Sequence, residues 1–532
     1  MVVRLTRAER SPRPGALVSL AVAALRSGNT IQARQMLQDR IREDPHDPDA
    51  LTALAEIAAS EQAIEQATLL LQRAAKADPS ISRRFALIDH LRNFGAPALA
   101  LKEFDQLPEQ ARGEFDVKAM EAALAGTLGL HDRQIETYRS MLRLRPSAAG
   151  AWVSLGNALK TVGRTSEAVK ALQRAIRADP TSGEAFWTLA NFKSFRFSNR
   201  DLAQMRATLR QKLSPRDTLH LHFALGKAYE DRKEYARSFE HYSAGNAIRA
   251  AGVDPQQADI SAMVDDSIST FDRDFFRRNS GVGCEEEGPI FVVGLHRSGS
   301  TLVEQILASH SMVEGTTELG IMKLIRDRLS RESEESGAAA IAALQPSDFR
   351  RIGEEYLERA RPFRKTKKPF FVDKLPGNWL NLPIIRAALP NARIIDARRH
   401  PMACGFSNFK QNYASGMGFS YSLKTIGAFY WDYVRFMRYF DGVQPDVTFR
   451  MINEHLIDQP ETQVRAMLEH LGLPYEASCL EFHKNDRAVK TPSAEQVRRP
   501  INSEGVDRWR DYEPWLDPLK EALGPALERW TD

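Results

Sequence analysis

The sequence predicts a multidomain chain: an all-α solenoid of helical repeats, then an α/β domain on a parallel sheet with a phosphate loop. Three observations predict it. Prolines recur at a fixed spacing through the first half, short apolar strands alternate with helices through the second, and one strand runs into a Gly/Ser-rich turn. A length of 532 residues is too much for one core, and 43% hydrophobic with 27% charged residues is the profile of a folded chain. The formal charge of +4 is too small for a nucleic-acid coat, so no nucleic-acid partner is expected.

The repeat comes first. Pro45, Pro79, Pro146, Pro180 and Pro215 are spaced 34, 67, 34 and 35 residues apart, so one unit of about 34 residues explains them all. From Ala149, residues Trp152, Leu155, Gly156, Leu159, Ala168, Leu172, Ala175 and Pro180 fall at positions 4, 7, 8, 11, 20, 24, 27 and 32. That is the tetratricopeptide (TPR) pattern. Small residues at 8 and 20 let two antiparallel helices approach, large apolar residues fill the seam, and the proline ends the second helix. Similar units precede Pro79 and Pro45, those near 82–112 and 115–146 are degenerate, and a last one begins at Leu219. About seven units are expected within 14–252, binding a protein or peptide partner that consensus positions do not identify. The apolar run Gly15–Leu25 follows four arginines like a signal peptide, but it keeps the phase of the repeat. With no run near the ~20 residues of a membrane helix, and three scattered cysteines (Cys284, Cys404, Cys479), a cytoplasmic protein is expected.

Residues 253–287 read as a helical linker, and 288–532 as the α/β domain. Strands are predicted at Pro289–Gly294, Phe370–Asp373, Arg393–Ala397 and Val447–Ile452. The first enters Gly294-x4-Gly299, the spacing of a Walker A loop, and a helix from about Thr301 to His310 follows. Ser300 stands where that loop has its lysine. The cation is Arg297 instead, among Ser298, Ser300 and Thr301, which suits a nucleotide without a γ-phosphate. A second anion site is suggested by Arg399 at a strand end, with Ser407 eight residues on.

These two motifs, about 100 residues apart and each after a strand, resemble the sulfotransferases that use 3′-phosphoadenosine 5′-phosphosulfate (PAPS). The resemblance covers about 287–530 and is nearest to TPR-linked bacterial members, which are similar to tyrosylprotein sulfotransferases. It implies that Arg297, Ser298, Gly299, Ser300 and Thr301 hold the 5′-phosphosulfate, and that Arg399 and Ser407 hold the 3′-phosphate. His296 replaces a frequent proline of the family. The resemblance further implies Glu318 as the base, with Glu314 as its neighbour and rival, and Lys374 near the bridging oxygen. Ser493 would contact the sulfonate and Arg508 the nucleotide, with Arg498 and Arg499 as adjacent candidates. No metal is implied, and the histidines show no metal spacing.

The expected activity is transfer of a sulfuryl group from PAPS to a hydroxyl acceptor (protein tyrosine, a glycan or a small molecule), leaving 3′,5′-ADP (PAP). The rivals are a TPR scaffold with a catalytically silent nucleotide-binding domain, and a phosphate-loop kinase. The basic run Arg359–Lys368 reads as a solvated helix face, and Phe429–Tyr439 as core.

Overall fold

The structure is a computed structural model that describes residues 14–532, apart from 28, 62, 94–95, 193, 253–258, 334, 336, 414–416, 486 and 488–495. Two compact units divide at Pro146 and Ser147.

The first unit is helical. Its described helices pair as Pro14–Arg26 with Thr30–Glu43, Pro48–Ser60 with Ile64–Ala77, Ile81–Asn93 with Pro97–Asp105, and Phe115–Thr127 with His131–Leu144. Proline opens helices at Pro48 and Pro97, where the missing N–H costs nothing. Ala33 and Ala67, at repeat position 20, are fully buried, as is Leu37 at position 24.

The second unit begins with the pairs Ala149–Thr161 with Thr165–Ala178 and Pro215–Glu230 with Tyr235–Ala250, and between them Gly183–Ala190 and Asn199–Leu209 both pack on Pro215–Glu230. Two short helices follow, Ser261–Thr270 and Arg273–Arg278; Phe271 between them and Phe275 and Phe276 in the second are buried. Phe275 meets Phe349, and Phe276 meets Phe440.

Among the described residues the sheet has five parallel strands: β1 (Pro289–Gly294), β2 (Val313–Gly315), β3 (Phe370–Asp373), β4 (Arg393–Arg398) and β5 (Thr448–Ile452), in the order β2-β3-β1-β4-β5. Val292 of β1 registers with Ile395 of β4, and Phe291 with Asp373 of β3. β1 is apolar throughout because both its faces are covered. Ile290 and Val292 pack with Val303, Ile306 and Leu307 of the helix Ser300–Ala308 and with Val464, Met467 and Leu468 of Pro460–His470. On the other face Phe291 meets Tyr356 at 5.4 Å. The aromatic run is core, as expected: Tyr430, Tyr433 and Phe436 are buried, with Trp379 against Tyr433 at 5.5 Å.

Sequence patterning missed β2, which is only three residues long. The helix after β1 spans Ser300–Ala308 rather than reaching His310. His310 is fully buried and its ring bonds the Pro474 carbonyl at 2.8 Å. The run Arg359–Lys368 straddles the end of Pro346–Ala360, and Lys368 Nζ donates to the carbonyls of His310 and Val313, both at 3.0 Å. That part of the run is structural rather than a solvated helix face. Among the described residues, no helix is long and apolar enough to cross a membrane.

Candidate functional site

Neighbours of β1 lie to both sides in an order that reverses there, and such a switch point opens a crevice at the strands' carboxyl ends. Each strand delivers a polar group to that edge. After β1 comes the turn 295–299. Gly299 has φ 100°, and a Cβ there would sit 2.6 Å from Asn453 Oδ1, so only glycine fits. Arg297 also has positive φ, 71°, a strain of about 1–3 kcal/mol that must be held by its surroundings. Its Nε donates to Ser407 Oγ at 3.0 Å, tying the turn to the helix Pro401–Phe409 after β4.

Ser298 is 2% exposed, and its hydroxyl has no hydrogen-bond partner among the described residues. A buried hydroxyl at the N-terminal edge of a nine-residue helix is suited to an anion, as are the free N–H groups of that helix's first turn. Arg399 donates to the Arg297 carbonyl at 3.3 Å and to that of Gly505, while its Nε has no partner among the described residues. The residues thus fit a phosphate-bearing ligand. A cavity of about 120 Å³ is lined by Arg297, Gly299, Ser300, Thr301, Arg399 and Asn453, and by residues of the segment 496–506.

Arg398, next to Arg399, does different work. Fully buried, it pairs with Asp396 at 2.7 Å and donates to the carbonyls of Trp530 and Asp532, holding the C-terminal segment on β4.

Lys374 follows β3 and is 1% exposed. Its Nζ contacts the Glu318 carboxylate and lies 3.9 Å from Glu304 Oε2. Glu304 is itself paired with Arg487, which also donates to Gln305 Oε1 at 3.1 Å. Glu318 is the half-exposed member, its side chain 44% accessible. It is therefore the carboxylate that an incoming molecule can reach. Glu314 is spent on structure: it accepts from the Lys365 and Thr366 N–H groups and from the Thr366 hydroxyl at 2.8 Å. Asp373 accepts from Tyr356 Oη at 2.9 Å and Leu319 N at 3.2 Å. Burial nevertheless pushes its carboxyl up to about 7. Burial drives His296 the other way, down to about 4, with Lys374 and Arg297 adding to the shift. It is uncharged at neutral pH.

The closing segment separates its arginines. Ser493 lies outside the described residues. Arg498 donates to the Thr161 and Arg487 carbonyls at 3.2 and 3.3 Å. Arg499 lines the 120 Å³ cavity. Arg508 donates to the Glu504 carbonyl at 2.8 Å and lies 3.7 Å from Glu230.

Sequence reading missed Asn453, Glu304 and Arg487. Asn453 follows directly on a strand that the sequence does reveal, so its position was available as a signal. Glu304 is the one charged residue of its helix, four residues after Ser300. Arg487 carries no local signal, because its partners are 182 and 183 residues away.

Fold and site together define an α/β phosphate-loop protein carrying a pair of opposite charges beside its anion cradle. Residues 289–477 match the sulfotransferase family, and 18–80 and 149–192 match tetratricopeptide repeats. The chain is thus a TPR protein with a sulfotransferase-family domain. It is 26% identical to an uncharacterized protein of Aquifex aeolicus (strain VF5) over 548 aligned positions, covering 98% of this chain and 71% of that one. It is 25% identical over 401 positions to the cellulose synthase 2 operon protein C of Komagataeibacter xylinus, covering 70% of this chain but only 29% of that protein's length. Among solved structures, the sulfotransferase domain of the Synechococcus PCC 7002 olefin synthase aligns with 42% of this chain and 88% of its own (20% identity, TM-score 0.33).

Proposed function

We propose that the chain moves a sulfuryl group from PAPS to a hydroxyl acceptor. One observation carries the reading: the Lys374–Glu318 pair adjoins a lysine-free phosphate turn whose cations are Arg297 and Arg399. Ser298, Ser300, Thr301 and the helix amides hold the 5′-phosphosulfate, and Arg399 with Ser407 holds the 3′-phosphate. Ser493 contacts the sulfonate, and Arg508 reaches the nucleotide from the closing segment.

Glu318 takes the acceptor's proton as its oxygen bonds to sulfur. The sulfur–oxygen bond to the 5′-phosphate breaks, and its electron pair stays on that phosphate oxygen. Lys374 leaves Glu318 for this oxygen and offsets the growing charge, while Arg297 steadies the phosphate. Glu304, fixed by Arg487, keeps Lys374 at the sheet edge throughout. The exposed side of Glu318 admits the acceptor, and protein tyrosine presented by the repeats is one that such an opening accommodates.

Calorimetric titration tests the donor. 3′,5′-ADP is expected to bind without metal, and Arg399→Ala to weaken it about tenfold or more. Binding of ATP only with magnesium would overturn the reading. With PAPS and a phenolic acceptor, Glu318→Ala is expected to lower turnover by about 10²–10⁴, and an unchanged rate would remove Glu318 as the base.

A further inference from the structure

Positive charge continues past Ser407. A second cavity, about 360 Å³, lies between the helix Pro401–Phe409 and the repeat helices Gly183–Ala190, Pro215–Glu230 and Tyr235–Ala250. Its wall includes Arg297, Arg399 and Ser407, so it is continuous with the donor-side residues. Among the described residues, seven lysine and arginine side chains line it against two carboxylates, Glu230 and Glu504. Such an excess around a partly enclosed space is costly unless an anion shares it.

The repeat supplies the centre of this cluster. Glu230, the last residue of its helix, is 9% exposed. Its carboxylate meets Lys410 Nζ at 2.8 Å, accepts from Tyr242 Oη at 2.9 Å and lies 3.7 Å from Arg508. Two cations therefore share one carboxylate. Burial lowers the pKa of Lys410, and Arg508 and Lys227 push it the same way, the mark of a cation among cations. Lys227, one turn back on the same helix, faces the same cavity and pairs with Asp231.

We propose that this cavity is the outer wall of the donor site, where Lys227 and Lys410 take the 3′-phosphate of an adenosine nucleotide together with Arg399 and Ser407. Glu230 is the positioning residue that holds Lys410 and Arg508 there. The last repeat is then part of the nucleotide site, and 3′-phosphate specificity is read partly from a repeat helix. This inference rests on the sulfotransferase reading above.

The test compares 3′,5′-ADP with 5′-AMP on the full-length protein, since the two differ only in the 3′-phosphate. Lys227→Gln and Lys410→Gln are each expected to lose about tenfold in 3′,5′-ADP affinity with 5′-AMP affinity unchanged, and Lys227→Arg to restore most of it. Glu230→Gln is expected to narrow the preference between the two nucleotides. Lys227→Gln is the safe variant, because Arg196 at 3.6 Å still accompanies Asp231. Equal losses for both nucleotides, or none, overturn the inference while leaving the sulfotransferase reading intact. Failure of the wild type to bind 3′,5′-ADP at all overturns both.

Discussion

The first repeats and the last are built on one pattern and put to different uses. At position 20 the early units carry Ala33 and Ala67, and the fifth carries Ala168. The last unit, counted from Leu219, carries Ser238. At position 24 Leu37, Leu71 and Leu172 give way to Tyr242. All of these side chains are buried, so the helix seam is filled in both cases. The difference is a hydroxyl at each position. Ser238 Oγ donates to the Gly226 carbonyl at 2.7 Å and lies 2.8 Å from Tyr512 Oη, while Tyr242 donates to Glu230. Asn246 adds a bond to the Phe409 carbonyl at 2.7 Å, and Phe239 stacks between Phe409 and Trp515. The repeat pattern fixes how helices pair, and its few spare atoms decide what the pair joins.

The sharpest way to break this comparison is Glu230→Leu. Lys410 would lose its buried carboxylate, and breaking a buried pair from one side costs about 3–5 kcal/mol. Asp39→Ala in the first unit removes an exposed partner of Arg42 at 2.8 Å, and a change within about 0.5 kcal/mol is expected. Urea unfolding of both variants measures the contrast. Similar costs would mean that the last repeat is no more tightly joined than the first.

Acid sharpens it further. Burial alone would raise the Glu230 carboxyl, but Lys410, Lys227 and Tyr242 outweigh that and bring it down to about 2. The fold therefore favours the ionised form. The stabilisation is complete above the ordinary value near 4.5 and drains away as pH falls from there towards 2. Asp373 has the opposite sign. With its carboxyl at about 7, the folded state keeps a proton that the unfolded chain gives up near 4, so stability declines as pH rises from about 4 to 7. Unfolding midpoints from pH 2.5 to 7.5 are expected to lose the acid-side slope in Glu230→Gln and the upper slope in Asp373→Asn. If Glu230→Gln keeps the wild-type acid slope, Glu230 is not the group responsible.

The same distinction explains what the sequence made legible. The repeat could be read because its contacts lie at fixed offsets along the chain, and the phosphate turn because Gly294, Arg297 and Gly299 are neighbours. Strands β1, β3, β4 and β5 carry enough apolar residues to register as runs. The three residues of β2 do not. Pairings such as Glu230 with Lys410, 180 residues apart, leave no trace in local spacing. Position does not assign roles either: Arg398 and Arg399 adjoin, yet only folding sends one into the core and the other to the crevice. Glu314 and Glu318 divide for a similar reason, since the turn at 365–366 consumes the first.

The smallest effect is the most specific. Ser238→Ala restores the residue that the pattern carries elsewhere, so the helix seam itself should be content, and alanine's higher helix propensity returns a few tenths of a kcal/mol. What is lost is the hydroxyl that meets Tyr512 in a fully buried spot. An unsatisfied buried hydroxyl costs about 1–2 kcal/mol, so a net destabilisation near 1 kcal/mol is expected. A Tyr512→Phe background removes the orphaned group, and there Ser238→Ala should cost almost nothing. The double-mutant cycle isolates the bond between repeat and closing segment from everything else the serine does. If the cost is the same in both backgrounds, the serine serves only its own helix pair, and the last repeat is joined to the sheet by Glu230, Asn246 and Phe239 instead.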